Sequence, residues 1–171
     1  MEPCPPIVIV VAMSRTNRAI GNNNQLLWHI PDDMKRFKTL TLGHPIIMGK
    51  NTFLSIVEIL GKPLPGRTNI VLTRDERYVY EGVKVAHSLV EAVELAKKES
   101  PSEIHIGGGA ELYRQTLPLV TRLHVTYVHD EPIADTFFPA FEDEFQITNQ
   151  HETAKYENLT YQWVDYERKF S

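Results

Sequence analysis

The chain alternates between short, unbroken apolar runs and longer segments in which apolar residues recur at helical spacing. The first run, residues 7–11, is β-branched throughout, as is typical of a strand covered on both faces. Further strands of this kind are predicted at residues 45–49, 68–73, 83–86 and 103–106. Helices are predicted to begin at or directly after Pro31, Lys50, Ser88 and Ala110. Because strands and helices alternate, we expect right-handed βαβ crossovers and a mostly parallel sheet.

The last third of the chain has a different pattern. Residues 122–130, 145–152 and 160–169 show strand-like alternation, with no strong helical segment between them. We expect the last two of these strands to form an antiparallel pair at one edge of the sheet. Together the patterns predict a single α/β domain over residues 1–171, with a central, mostly parallel, twisted sheet, an antiparallel C-terminal edge and flanking helices.

Composition narrows the class of protein. Of the 171 residues 42% are hydrophobic and the net charge is −4, which indicates a compact domain and argues against a general nucleic-acid-binding protein. No segment reaches the roughly 20 apolar residues of a membrane span. Cys4 is the only cysteine, so no internal disulfide can form. We expect a cytoplasmic monomer without nucleic-acid or membrane partners.

Two strand-to-helix junctions contain glycine, at residues 49–52 and 107–110. A helix that begins directly after a glycine offers free backbone N–H groups to an anion. Both junctions would lie at the carboxyl edge of the sheet, where ligands bind in such folds. Neither matches the P-loop or the dinucleotide-binding motif, which argues against a P-loop kinase and a Rossmann dehydrogenase. The seven histidines show no metal-binding spacing, so we expect no metal site.

Asp33 is the acidic residue with the clearest potential for chemistry. It follows Pro31 in the first turn of a predicted helix, with Met34 and Phe37 close by. One interpretation is an ordinary first-turn acid, favoured by the helix dipole by about 0.3–1 kcal/mol. The other is a carboxylate in an apolar pocket, which requires a cationic or donor-rich ligand. A 2-aminopyrimidine edge would match the two carboxylate oxygens.

Several stretches of the chain resemble motifs of the dihydrofolate reductase family. They occur in the family's order and spacing along almost the whole chain, at residues 20–21, 26–38, 45–53, 63–67, 108–113 and 135–139. The resemblance implies a dihydrofolate-reductase-like fold and the reduction of dihydrofolate to tetrahydrofolate by NADPH. It also implies that diaminopyrimidine or pteridine antifolates are inhibitors.

The resemblance implies a catalytic set of Asp33, Trp28, Thr126 and Tyr113. Asp33 would hold the ring N–H and 2-amino group of the pterin and favour protonation of its N5, with water delivering the proton. Thr126 would bridge the carboxylate and the amino group. Trp28 would hold an ordered water near the pterin, and Tyr113 would lie beside the nicotinamide.

The resemblance also implies a set of binding residues. Arg67 would pair with the α-carboxylate of the substrate's glutamate tail. The substrate-binding positions are Val11, Ala12, Asp33, Met34, Phe37, Ile56, Arg67 and Thr126. The cofactor-binding positions are Ala12, Ile20, Gly21, Leu26, Gly49, Lys50, Asn51, Thr52, Thr73, Arg74, Gly107, Gly108, Gly109, Ala110, Glu111, Leu112 and Tyr113. Among these, Lys50 and Arg74 would bind the adenosine 2′-phosphate. The peptide bond between Gly108 and Gly109 is expected to be cis.

Other features concern the surroundings of this site. The long polar segment 14–26 is the expected lid. Gly107 stands where the family often has a larger aliphatic residue, which predicts extra space beside the nicotinamide and pterin. Residues 57–60 resemble an insertion before Gly61, and Ala134 replaces a frequent glycine in the loop that contacts the lid.

Two alternatives stay open on the sequence alone. A related riboflavin-pathway reductase would share the fold, but it has no use for an arginine that binds a glutamate tail. A non-catalytic pterin- or nucleotide-binding protein is disfavoured by the intact set of Trp28, Asp33 and Tyr113.

Overall fold

A computed structural model describes residues 3–170 of the chain. The strands are β1 (Ile7–Ser14), β2 (Ala19–Asn22), β3 (Gln25–Leu26), β4 (Ile46–Gly49), β5 (Asn69–Leu72), β6 (Lys84–Ala86), β7 (Ile104–Gly108), β8 (Arg122–Val128), β9 (Thr136–Phe137), β10 (Phe145–Gln150), β11 (Ala154–Tyr156) and β12 (Leu159–Arg168). The helices are α1 (Pro31–Thr41), α2 (Lys50–Leu60), α3 (Leu89–Lys97) and α4 (Ala110–Thr116), with short 3-10 turns at Leu117–Leu119 and Glu142–Glu144.

The central sheet has the strand order β10-β12-β8-β1-β7-β4-β5-β6, and β11 pairs with β12. All pairs from β8 to β6 are parallel, whereas β12 runs antiparallel to β8, β10 and β11. This confirms the predicted α/β fold with its antiparallel C-terminal edge. β1 lies in the middle, and its two neighbours come from residues 104–128, far along the chain.

The segment predicted as a lid without regular structure contains two short strands. β2 pairs antiparallel with β3 and with β9, so the three strands form a small second sheet. Asp135 also accepts a hydrogen bond from the backbone N–H of Asn23 at 3.0 Å, and its own N–H donates to Gly21. The lid and the loop around Ala134 are therefore joined, although Ala134 replaces a frequent glycine.

Residues 57–60, which resemble an insertion, form the last turn of α2 rather than a loop. The helix ends at Gly61, whose φ of 75° lies in the left-handed region that glycine adopts without strain. The additional residues Ile59 and Leu60 are exposed. Residues 57–60 thus belong to α2, and the strands β4 and β5 on either side of this helix pair in parallel.

The hydrophobic core lies on both faces of the sheet. One cluster packs around β1, β7 and β8 together with α3 and α4 and includes Ile9, Met13, Ile106 and Leu123. A second cluster lies under α2 and consists of Ile46, Met48, Phe53, Leu64 and Val71. Within residues 3–170, no helix is long and apolar enough to cross a membrane.

Candidate active site

Asp33 lies in the first turn of α1 and is partly buried against β8 and β12. Its Oδ1 accepts hydrogen bonds from Thr126 Oγ1 at 2.5 Å and from Trp163 Nε1 at 3.0 Å. Among the residues that the structure describes, no donor reaches Oδ2. One carboxylate oxygen is therefore held by the protein and the other is available to a ligand.

Trp163 is a contact of Asp33 that the sequence analysis missed. It lies directly opposite Thr126 in the antiparallel pair of β8 and β12, and Thr126 in turn lies beside Ala12 of β1. The guanidinium of Arg36 stacks over the indole at 4.9 Å. A tryptophan on a C-terminal strand gives no local signal of this contact, because only the register of the sheet brings it to Asp33.

Apolar side chains from α1 and α2 pack against the cluster that lies under α2. Phe37 and Ile56 are partly buried and pack against the cluster under α2. Val11 is buried at the carboxyl end of β1, whereas Met34 is 43% exposed. The structure therefore brings Phe37 and Ile56 to one apolar surface, as the resemblance implies.

Arg67 is held in place by the turn that precedes β5. Its Nε donates to the carbonyl of Pro65 at 2.9 Å, and its Nη1 donates to the hydroxyl of Thr41 at 3.1 Å. No hydrogen-bond acceptor within residues 3–170 contacts Nη2. Burial lowers the pKa of the guanidinium below its usual value, but an arginine remains charged at neutral pH.

The two glycine junctions come together at the carboxyl ends of β4 and β7. A β-carbon at Gly49 would lie 3.9 Å from both the carbonyl oxygen of Gly108 and the amide nitrogen of Gly109, and one at Gly109 would lie 3.4 Å from Thr52 Oγ1. The bond between Gly108 and Gly109 is cis, as expected. The N-terminal ends of α2 and α4 thus face a common region of exposed backbone.

Tyr113 of α4 packs against the second junction. A β-carbon at Gly108, where φ is 101°, would lie 3.0 Å from the Tyr113 hydroxyl, so a larger residue would collide with the ring. Tyr113 is buried beside Phe138 at a ring distance of 5.1 Å, and burial raises the pKa of its phenol.

Among the expected cofactor residues near α2 and α4, Lys50 and Glu111 each form an ion pair with another side chain. Lys50 Nζ lies 3.8 Å from Asp75 and 4.6 Å from the centre of the Tyr78 ring. Glu111 forms a surface ion pair with Arg114 at 2.5 Å, and this hydrogen bond lowers the pKa of the Glu111 carboxyl. Arg74 and Asn51 are exposed. Arg74 is therefore accessible to a ligand anion, while Lys50 would have to leave Asp75.

Trp28 differs from the expectation. Its indole N–H donates to Asp130 Oδ2 at 2.9 Å, so its single donor hydrogen is directed at a carboxylate rather than at a water position. Ile20, Gly21 and Leu26 lie in the strands of the lid sheet. Trp28 consequently connects the end of the lid to the loop that follows β8.

The extra space predicted beside Gly107 is not present. A β-carbon there would lie 3.1 Å from Ile46 Cδ1 and 3.6 Å from Met48 Cβ. The side chain of Ile46 on the neighbouring strand fills the volume that a larger residue would occupy. The prediction was wrong because it considered one strand without its neighbour.

Comparison with known proteins agrees with this geometry. The family model described as dihydrofolate reductase matches residues 6–168. The dihydrofolate reductase of Bacillus subtilis (strain 168) is 38% identical over 168 residues, covering 96% of each chain. The type 3 dihydrofolate reductase of Salmonella typhimurium is 42% identical over 135 residues, covering 79% of this chain and 80% of the relative.

A solved structure has the same fold. The dihydrofolate reductase from Enterococcus faecalis complexed with NADP(H) and RAB-propyl superposes with a TM-score of 0.85 at 29% identity, covering 96% of this chain and 97% of that one. With the family model spanning almost every residue and the site motifs brought together in the fold, this chain belongs to the dihydrofolate reductase family.

Proposed function

We propose that this chain transfers a hydride from NADPH to 7,8-dihydrofolate and releases tetrahydrofolate. The proposal rests on the hydrogen bonding of the Asp33 carboxylate. Thr126 and Trp163 hold its Oδ1, while its Oδ2 has no donor among the described residues. A fixed carboxylate whose Oδ2 has its lone pairs unoccupied suits a ligand edge that donates hydrogen bonds from N–H groups, such as the ring N–H or the 2-amino group of a pterin.

NADPH fits the region where the two glycine junctions meet. The backbones at Gly49 and Gly109 approach so closely that β-carbons would reduce the space for a ligand there, and the free N–H groups at the start of α2 face the same region. Thr52 adds a hydroxyl, and Arg74 is exposed to receive the 2′-phosphate. NADPH supplies the hydride, and the protein binds and orients the NADPH.

Asp33 orients the pterin and favours the protonated form of its N5. A carboxylate close to the ring stabilises positive charge on the pterin, and a water molecule delivers the proton. Phe37 and Ile56 exclude bulk water from one side and so strengthen this electrostatic effect. Trp28, whose N–H is directed at Asp130, closes the edge of the site.

The assignment predicts NADPH-dependent consumption of dihydrofolate by the purified protein. The loss of reduced-nicotinamide absorbance is followed with both compounds, with NADH in a parallel run, and with dihydrofolate omitted as the blank. We expect rapid loss with NADPH and much slower loss with NADH. Absence of turnover while both compounds bind would overturn the proposal.

The same assignment predicts that Trp163→Phe weakens catalysis. The substitution keeps an aromatic ring under Arg36 but removes one hydrogen bond to a charged oxygen, worth about 1.5–3 kcal/mol. We expect kcat/KM to fall by roughly 10-fold, the factor that corresponds to about 1.4 kcal/mol.

NADPH affinity, measured by fluorescence titration, serves as the internal control for Trp163→Phe. The indole lies on β12, away from the glycine junctions, so this affinity should change less than twofold. An unchanged kcat/KM together with a loss of thermal stability would show that Trp163 only packs the structure.

A cytoplasmic location, a monomeric state and inhibition by diaminopyrimidine or pteridine antifolates remain part of the proposal. Size-exclusion chromatography with light scattering tests the monomer directly.

A further inference from the structure

A buried histidine without a hydrogen-bond partner lies at the amino-terminal end of β7. The side chain of His105 is 1% exposed, and neither Nδ1 nor Nε2 has a partner within residues 3–170. Buried polar groups are nearly always satisfied, because an unpaired one loses its bonds to water without replacement. We therefore expect the imidazole of His105 to bind a group from outside the protein.

Two further side chains with metal-binding atoms face this imidazole. Glu103 immediately precedes β7, and His44 lies in the connection from α1 to β4. The Oε1 atom of Glu103 lies 3.2 Å from Nε2 of His44 and 3.6 Å from Nε2 of His105. The two imidazole rings are 5.3 Å apart and inclined by 33°. Both nitrogens thus approach the same carboxylate oxygen.

The two distances from Glu103 Oε1 to the histidine nitrogens are close to the spacing of ligands around a small metal ion. One potential ligand atom from each of the three residues lies within 4.8 Å of the others. Two ligands about 2.0–2.1 Å from a tetrahedral ion lie roughly 3.3–3.4 Å from each other. We propose that His44, Glu103 and His105 bind a divalent transition-metal ion, with Zn²⁺ the preferred ion. The fourth coordination position is open to a water molecule.

The donor set and its surroundings favour this class of ion. Two imidazoles and one carboxylate suit Zn²⁺ and its transition-metal neighbours, whereas Mg²⁺ and Ca²⁺ prefer oxygen ligands. Both imidazoles can bind a metal ion through a ring nitrogen in their neutral form. Arg122 lies 3.6 Å from the other oxygen of Glu103 and fixes the carboxylate.

The site formed by His44, Glu103 and His105 lies at the opposite end of the strands from the proposed NADPH-binding region. The three ligands lie at the amino-terminal ends of β4 and β7, while Gly49 and Gly108 lie at the carboxyl ends of the same strands. A bound ion would join the connection before β4 to the start of β7. Its effect is therefore on stability, and His44 and Glu103 are exposed enough, at 21% and 19%, to admit it.

Isothermal titration calorimetry of the metal-free protein with Zn²⁺ tests the proposal directly, and the visible absorbance of added Co²⁺ reports the coordination geometry. We expect one ion per chain and a Co²⁺ spectrum typical of four-coordination. Zn²⁺ at 100 times its dissociation constant should raise Tm by about 5–10 °C. Mg²⁺ at the same concentration should have no effect.

Matched variants locate the ion. His44→Gln, Glu103→Gln and His105→Gln should each weaken Zn²⁺ binding at least 10-fold, whereas His129→Gln, at an exposed histidine elsewhere, should not change it. Cys4→Ser removes the exposed thiol and should also leave binding intact. Because His44 is partly exposed, its variant folds even where His105→Gln does not. Absence of Zn²⁺ binding, or equal binding by His44→Gln and the wild type, would overturn the site.

Discussion

Replacement of Asp33 with Asn is expected to lower kcat/KM for dihydrofolate by about 10²–10⁴-fold, the usual contribution of a group that assists proton transfer. The amide keeps the shape of the side chain, and its oxygen can still accept hydrogen bonds from Thr126 and Trp163. The amide nitrogen then takes the place of Oδ2. A donor would face the donors of the pterin edge, and the negative charge that stabilises the protonated ring would be absent.

Asp32→Asn is the matched control for this experiment. Asp32 lies in the same first turn of α1 but is exposed, so its loss costs only the favourable interaction with the helix dipole, about 0.3–1 kcal/mol. Steady-state kinetics, circular dichroism and thermal unfolding should be measured for both variants. We expect both to fold, with turnover near that of the wild type for Asp32→Asn. An Asp33→Asn protein within threefold of the wild type would rule out the role assigned to Asp33.

Replacement of Arg67 with Leu is expected to weaken dihydrofolate binding by about 10- to 100-fold, or roughly 1.4–2.8 kcal/mol. Thr41 and Pro65 hold Nη1 and Nε, which leaves Nη2 without a partner among the described residues and free to bind a carboxylate. The guanidinium is partly buried, so its attraction for a carboxylate is screened less than that of an exposed arginine.

A ligand without a carboxylate separates this effect from damage to the pocket. A 2,4-diaminopyrimidine can contact Asp33 but has no glutamate tail, so Arg67→Leu should change its affinity less than twofold. Arg67→Lys, which keeps the charge but loses the planar arrangement of donors, should give an intermediate loss for dihydrofolate. Equal losses for both ligands would mean that the substitution disturbs the pocket and that Arg67 does not bind the tail.

The sequence was sufficient for the order and type of the main elements. The continuous apolar run at residues 7–11 and the similar runs at β4, β5 and β7 identify strands covered on both faces. The predicted start of α3 is also correct: the Ser88 side chain accepts a hydrogen bond from the N–H of Glu91, and the helix follows directly. These signals are local, because each apolar run and the helix cap involve only a few consecutive residues.

Features that depend on distant residues could not be predicted in this way. β2, β3 and β9 have two to four residues each, too few for periodicity. β2 and β3 form a local hairpin, but the pairing of β2 with β9 joins segments more than a hundred residues apart. Trp163 reaches Asp33 only through the register of β12 on β8. The volume beside Gly107 is filled by Ile46 of another strand. His44 and His105 likewise meet because β4 and β7 are neighbours in the sheet.

The central position of β1 also has a consequence for the order of assembly during synthesis. β1 leaves the ribosome before the other strands of this sheet, but both of its partners lie in residues 104–128. Until those residues emerge, its apolar side chains have no sheet to join, and pairing across so long a loop is slow. Thr126, Gly108 and the rest of the carboxyl edge therefore come together with β1 in one late step. A nascent chain that ends before residue 122 contains Asp33 but neither its Thr126 nor its Trp163 partner, so the hydrogen bonds that fix this carboxylate can form only after residue 163 has emerged.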